Sequence, residues 1–365
     1  MSADLLPAIF AAPERCLGLS MAEWELALGQ ARRGMLLGRL AAACSESPWF
    51  ERLPAQPRMH LVGALRAVAR QRLEVRWEIR NIAAALRDPA TPVVFLKGAA
   101  YELADLPPAR GRLYADVDIL VPRERLDEVE GALFRAGWIS RERDAYNQRY
   151  YRQWMHELPP LVHVRRETYL DVHHTITPPT SRFRVDAGAL FERIEPVAGM
   201  PGLHVLSLAD MILHSAVHLF QEGEFANGLR DLLDLADLIG HAHARSGFQE
   251  QLVSRAVQLG LARPLFYAVS CADFLLPGRM DAGLVSAVEP FRPRGIGGTA
   301  MLGILRRALR PDHPSCDDAV TRVARNFLYV RAHHLRMPAH LLLPHLLRKA
   351  YMRRFPPADA PTANA

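Results

Sequence analysis

Lysine is almost missing from this chain. Of 45 basic residues only Lys97 and Lys349 are lysines, the rest being arginine. An ammonium and a guanidinium do different work, so each retained lysine is a candidate for a task that the larger planar cation cannot perform. Cysteine is scarce too. Cys16, Cys44, Cys271 and Cys316 stand far apart with no C-x-x-C pair, which excludes a zinc ribbon and a disulfide framework and suits reduced thiols. No basic cluster leads into an apolar run at the N-terminus. No uninterrupted apolar stretch reaches the ~18 residues a membrane span needs. The longest candidate, Leu203–Phe220, is interrupted by His204, Asp210, His214 and His218 and reads as a buried helix. The expectation is a soluble, cytoplasmic protein without a membrane span.

Acidic side chains are absent from one long stretch. Residues 319–358 contain eight Lys or Arg and no Asp or Glu, whereas the whole chain carries a net charge of +6. The positive charge is therefore a C-terminal property, and the remainder is slightly acidic.

The 365 residues suggest two or three units at roughly 150 residues per domain. Residues 1–88 place apolar side chains at spacings of three and four, in Met21–Ala43 and Met59–Leu86, and read as helical. At Asp88-Pro-Ala-Thr-Pro the pattern changes. Val93–Leu96 is a short β-branched and aromatic run that reads as a buried strand, and Gly98–Leu103 starts a helix. Leu113–Val121 alternates, and Pro122 opens a helix that runs to Ala136. Met155–Val164 and Tyr169–Ile176 read as two further strands. After Pro178-Pro179 the chain returns to helix, with Leu208–Phe220, Asn227–His241, Phe248–Leu259, Pro264–Leu275, Asp317–Leu335 and Ala339–Arg354 as the main elements. The fold class expected is α+β. A small mixed sheet at 89–180 lies between a helical region at 1–88 and a helical domain at 181–355, with a Pro/Ala-rich disordered tail at 356–365.

The chemistry lies in the middle block. Asp116 and Asp118 are two residues apart on an extended segment, so they share a face about 6.6 Å apart. Asp171 sits in another strand. If the strands are neighbours, at ~4.8 Å spacing, three carboxylates converge. Their mutual repulsion is relieved by divalent cations, and oxygen-only ligands select Mg2+ or Mn2+ over Zn2+. Two such ions ~3.5–4 Å apart suit an in-line phosphoryl displacement. Lys97-Gly98 ends a strand and opens a helix, a turn at which backbone N–H groups approach phosphate. Lys97 and Arg112 then offset the charge of a triphosphate.

The stretch VVFLKGAAYELADLPPARGRLYADVDILV, followed by YLDVHHTI, resembles the nucleotidyltransferase superfamily that includes DNA polymerase beta. Within it the pattern is similar to the bacterial group labelled nucleotidyltransferase family 5: apolar-LKG, then R-x-x-x-D-x-D, then an apolar-D-x-H strand. The resemblance implies Lys97 and Gly98 at the nucleotide phosphates, Asp116 and Asp118 on both metals, and Asp171 on the catalytic metal. Arg112 falls at the family's arginine and His173 at its histidine. The superfamily's usual Gly-Gly or Gly-Ser is Gly98-Ala99 here, which removes a serine hydroxyl from the turn. Good similarity covers residues 93–176, with a weaker extension into LSLADMILHSAVHLF and GLRDLLDLADLI.

Other signals carry less. His214 and His218 stand at i, i+4, a zinc-pair spacing, but no third ligand is evident and packing or a place at the acceptor pocket is favoured, together with Arg230 and Asp231. His173 shares a face with Asp171, where it can orient phosphate or assist deprotonation, or serve as a hydrogen-bonded sheet histidine. The expected activity is transfer of a nucleoside monophosphate from an NTP to a small molecule, peptide or protein, with release of pyrophosphate. Two alternatives remain open: a nucleotide-binding, antitoxin-like partner module, and an RNA-directed (tRNA) transferase that grips nucleic acid through the basic C-terminal helices.

Overall fold

A computed structural model describes residues 4–87 and 91–354. The expected tail at 356–365 lies outside the described residues, as do the side chains of Lys349, Tyr351, Arg353 and Arg354. The chain opens with helices α1 (Leu6–Ala11), α2 (Met21–Arg33), α3 (Leu37–Ser45) and the long α4 (Ala55–Ala85). Met21–Ala43 is thus two helices rather than one. Met35 takes a left-handed backbone, φ 55°, and Leu36 N–H reaches back to Ala31 O at 2.7 Å, which closes the end of α2. Ser20 starts that helix with a reciprocal capping box to Glu23.

The mixed block follows as β1 (Val93–Phe95), α5 (Lys97–Leu103), β2 (Val117–Leu120), α6 (Leu126–Arg135), β3 (Trp138–Ser140), α7 (Ala145–Trp154), β4 (Leu161–His163) and β5 (Tyr169–His173). Three features depart from the sequence reading. The second strand is shorter than Leu113–Val121, because both backbone groups of Tyr114 are held by the side-chain amide of Gln71 on α4 (2.9 and 2.6 Å) rather than by a neighbouring strand. Much of the expected strand Met155–Val164 is irregular, and β3 and α7 precede it where no strand or helix was expected. The chain after Pro179 is also not purely helical. It forms α8 (Ala187–Phe191), then β6 (Glu195–Pro196) and β7 (Leu203–Val205), before α9 (Leu208–Glu222). The apolar run at Leu203 therefore begins as a strand, and Ser207 caps the helix that follows by accepting from Asp210 N–H.

The seven strands form one mixed sheet in the order β3-β4-β5-β2-β1-β7-β6. β1 is antiparallel to β2 and parallel to β7, whereas β2 and β5 run parallel. The last part is helical: α10 (Gly228–His243), α11 (Phe248–Gln258), α12 (Ala262–Leu275), α13 (Ala282–Val288), α14 (Ile296–Ala308), α15 (Ala319–Arg336) and α16 (Ala339–Arg354). Of these, α13 and α14 had no counterpart in the sequence reading, nor had α8. Buried apolar side chains from Leu6 to Leu328 form a continuous core, and no described helix is long and apolar enough to cross a membrane.

Two fixtures hold α4 and α10 against the sheet. Glu102 on α5, its side chain fully buried, accepts from Arg72 and Arg76 of α4. On the other side Asp234 of α10 pairs with Arg112 and lies 3.7 Å from Arg39. Arg112 follows Gly111, whose φ is +75°; a Cβ there would lie 2.3 Å from Gly38 O, so the loop approaches α3 as only glycine allows.

Candidate active site

The register of β2 on β5 brings the aspartates together. Asp118 and Asp171 are direct partners across the parallel pair, so their side chains leave the same face of neighbouring strands, about 4.8 Å apart along the ladder. Asp116 lies two residues before Asp118, just outside the strand, where it is exposed. Asp118 itself is buried.

These three groups sense one another. Burial pushes the Asp171 carboxyl up to about 7, with the charges of Asp118, Glu157 and Asp116 adding to the effect and His173 opposing it. Asp116 is also raised: although the residue is exposed, the cleft partly desolvates its carboxyl, and Asp118 adds to the effect, while Lys97, Arg112 and Arg230 oppose the rise. Asp118 goes the other way. Burial disfavours its charge, but Lys97 and a hydrogen bond from His173 outweigh that and hold it below the usual carboxylate range. Two carboxyls raised beside a third that stays ionised form a donor set short of positive charge, and this oxygen-rich chemistry fits hard divalent cations.

Lys97 stands at the junction. Leu96 N–H donates to Asp118 O at 3.0 Å, which places the start of α5 beside the D-x-D segment. Lys97 takes φ 44°, an uncommon conformation for a non-glycine residue and one often found where a site constrains the backbone. Its Nζ is 3.2 Å from Asp118 Oδ1. Gly98 is buried, and a Cβ there would come within 2.9 Å of the Tyr114 ring and 3.1 Å of Arg112 Nε. Glycine at this turn thus makes room for the cleft wall.

The remaining expected contacts are redistributed. Arg112 lines the cleft, but its guanidinium already pairs with Asp234 and lies over the Tyr101 ring, 5.6 Å from its centroid. His173 is buried rather than presented to phosphate. Its Nε2 is 3.0 Å from Asp118 Oδ1 and its Nδ1 faces Glu157 Oε2 at 3.4 Å. Burial alone would lower the pKa of this ring; the Asp118 hydrogen bond and the Glu157 charge raise it instead. His174 points elsewhere, to Met155 O.

Ser215 and His218 of α9, with Asn227, Arg230 and Asp231 at the start of α10, line the same cleft as Asp116 and Asp118, whereas Asp171 lies behind Asp118 and is not part of that lining. Tyr101 Oη and Ser215 Oγ, 2.7 Å apart, join α5 to α9. The rings of His214 and His218 are 6.3 Å apart, and among the described residues no third ligand forms a metal-binding group with them. Burial, followed by the charges of Lys97 and His218, holds His214 well below its ordinary pKa. His218 instead borders the cleft. Glu157 and His156 escaped the sequence reading altogether, since nothing in WMHELPP marks a site.

A D-x-D segment and a third aspartate on the adjacent parallel strand, next to a Lys-Gly strand-to-helix turn, are the arrangement that characterises the nucleotidyltransferase class. The whole-sequence comparison agrees. Residues 20–277, well over half of the chain, match the family described as "Uncharacterised nucleotidyltransferase", and the chain belongs to that family. The matched segment begins at α2 and ends beyond α12, so it spans helices on both sides of the sheet as well as the carboxylates. No curated protein and no solved structure matched the chain.

Proposed function

We propose that this protein transfers a nucleoside monophosphate from an NTP to a small-molecule, peptide or protein acceptor. The bond from the acceptor oxygen to the α-phosphorus forms as the α–β bridge breaks, and pyrophosphate leaves. The observation that carries the reading is the pairing of Asp118 with Asp171, which sets the third carboxylate beside the other two. Asp116, Asp118 and Asp171 would hold Mg2+ or Mn2+. Such ions, when bound, polarise the α-phosphate and offset charge on the leaving pyrophosphate. Lys97 gives the cleft a cation beside the D-x-D segment, where the polyphosphate binds. His173 keeps Asp118 ionised and oriented. Ser215, His218, Asn227 and Arg230, which share the cleft with Asp116 and Asp118, receive the acceptor.

An RNA-directed role finds less support. Among the described arginines of the basic stretch, Arg325 pairs with Asp312 at 2.7 Å, Arg331 donates to Phe220 O at 3.0 Å, and Arg348 pairs with Asp144 at 2.9 Å. Charges engaged internally contribute less to phosphate binding.

The direct test supplies each of four α-labelled NTPs with Mg2+ and a cell extract. Label appearing on one component together with pyrophosphate release supports the transferase. Nucleotide binding without turnover would instead identify a binding module. A second expectation concerns Lys97. Lys97→Met should raise the KM for NTP on the order of tenfold, equivalent to about 1.4 kcal/mol, with a smaller change in kcat. Steady-state kinetics checks this, and an unchanged KM would reduce Lys97 to a structural partner of Asp118.

A further inference from the structure

Next to the carboxylates, His173 joins His156 and Glu157, two residues to which nucleotidyl transfer gives no role. Glu157 and His173 pair as an isolated antiparallel bridge. Leu158 N–H donates to Val172 O at 2.8 Å and His174 N–H to His156 O at 2.9 Å, so backbone bonds on both sides fix the bridge. The His156 and His173 rings lie 5.2 Å apart and are tilted by 34°. One ligand atom from each of His156, Glu157 and His173 lies within 4.8 Å of the other two. The His173 side chain is 3% exposed, and its Nδ1 makes no hydrogen bond.

We propose that His156, Glu157 and His173 bind a zinc-type divalent transition-metal ion, at a site separate from the three aspartates. A tetrahedral ion with ligands at ~2.1 Å sets neighbouring ligand atoms about 3.4 Å apart. The distance from His173 Nδ1 to Glu157 Oε2 is already 3.4 Å, so His156 need only close on the other two. Two imidazoles and one carboxylate suit zinc and its neighbours, whereas Mg2+ prefers oxygen alone. Three protein ligands leave a position for water, and His156 and Glu157 are only half-buried, which gives the ion a path in.

The site has a consequence for its neighbour. An ion on His173 Nδ1 obliges the ring proton to sit on Nε2, from which it is donated to Asp118 Oδ1 at 3.0 Å. Carboxylate–histidine–metal triads fix a ring's tautomer and orientation in this way. The ion would thus position Asp118 through His173 without entering the cleft. The ligand group stands whether or not the protein transfers nucleotide.

The test strips the full-length protein with a chelator, removes the chelator, and titrates Co2+ in excess Mg2+, which occupies oxygen-only sites. One equivalent of Co2+ is expected, with the visible absorption of a four- or five-coordinate ion. His156→Ala and Glu157→Gln should each weaken Co2+ binding about tenfold or more. Asp171→Asn should leave the spectrum unchanged, so this site and the transferase reading fail separately. Circular dichroism establishes that each variant is folded; where one is not, the wild-type stoichiometry and spectrum decide. The proposal is overturned if Co2+ does not bind in excess Mg2+, or if a folded His156→Ala protein binds it as tightly as wild type. Loss of the spectrum in Asp171→Asn would likewise overturn it.

Discussion

Asp116→Asn is expected to lower nucleotidyl transfer by about a thousandfold or more, equivalent to some 4 kcal/mol of transition-state stabilisation, while the protein remains folded. Asp116 is the most informative of the three carboxylates because it is exposed and lies outside the strand, so its replacement disturbs the sheet least. Asparagine keeps its shape and removes the charge. Asp118 is a poorer choice. It is buried between Lys97 and His173, and Asp118→Ala would remove the acceptor the two groups share, at a cost of about 3–5 kcal/mol. Inactivity of that variant could then reflect unfolding. Transfer assays on Asp116→Asn, with a thermal melt of the same sample, separate the two effects. A folded variant with near wild-type turnover would remove these carboxylates from the chemistry.

Asp171 governs the second large effect, which concerns stability without metal. Its carboxyl is pushed up to about 7 in the folded protein, by burial first and by Asp118, Glu157 and Asp116 after it. The unfolded chain titrates near the ordinary value of about 3.9. Between these two values the folded state holds a proton that the unfolded state has released. The metal-free protein therefore loses stability as pH rises from about 4 to about 7, and the whole penalty persists above that. Three pK units set its ceiling at about 4 kcal/mol. Asp171→Asn should stabilise the metal-free protein at pH 8 by up to that amount and change little at pH 4. Divalent cations should abolish the difference by offsetting, in wild type, both the cost of the buried charge and the repulsion. Urea unfolding at the two pH values, with chelator and with Mg2+, measures each arm. Equal midpoints for wild type and variant at pH 8 without metal would show that neither burial nor the neighbouring charges raise the Asp171 carboxyl appreciably.

Much of this site was legible in the chain. Val93–Phe95 and Tyr169–His173 are short runs rich in β-branched and aromatic residues, and both form strands near the positions read from sequence. The helix after Lys97, the D-x-D segment and the later D-x-H motif follow in the order read from the sequence. The converging aspartates follow from the same local facts once β2 and β5 are neighbours, as they are. Where the reading failed, the deciding contact came from elsewhere in the chain. Tyr114 is kept out of the sheet by Gln71, 43 residues earlier, and no periodicity near Tyr114 announces that.

The sequence by itself determined which residue types make up the candidate site and in what order, because strand alternation, the Lys-Gly turn and the aspartate spacing are properties of a few consecutive residues. Only the tertiary structure decided their partners. Arg112 went to Asp234 on α10, His173 to Asp118, and Glu157 came up beside His173. A buried charge settles on whichever opposite charge or hydrogen-bonding group the packing brings within about 3 Å, and that neighbour is chosen by how distant segments fold together rather than by the residues on either side of it.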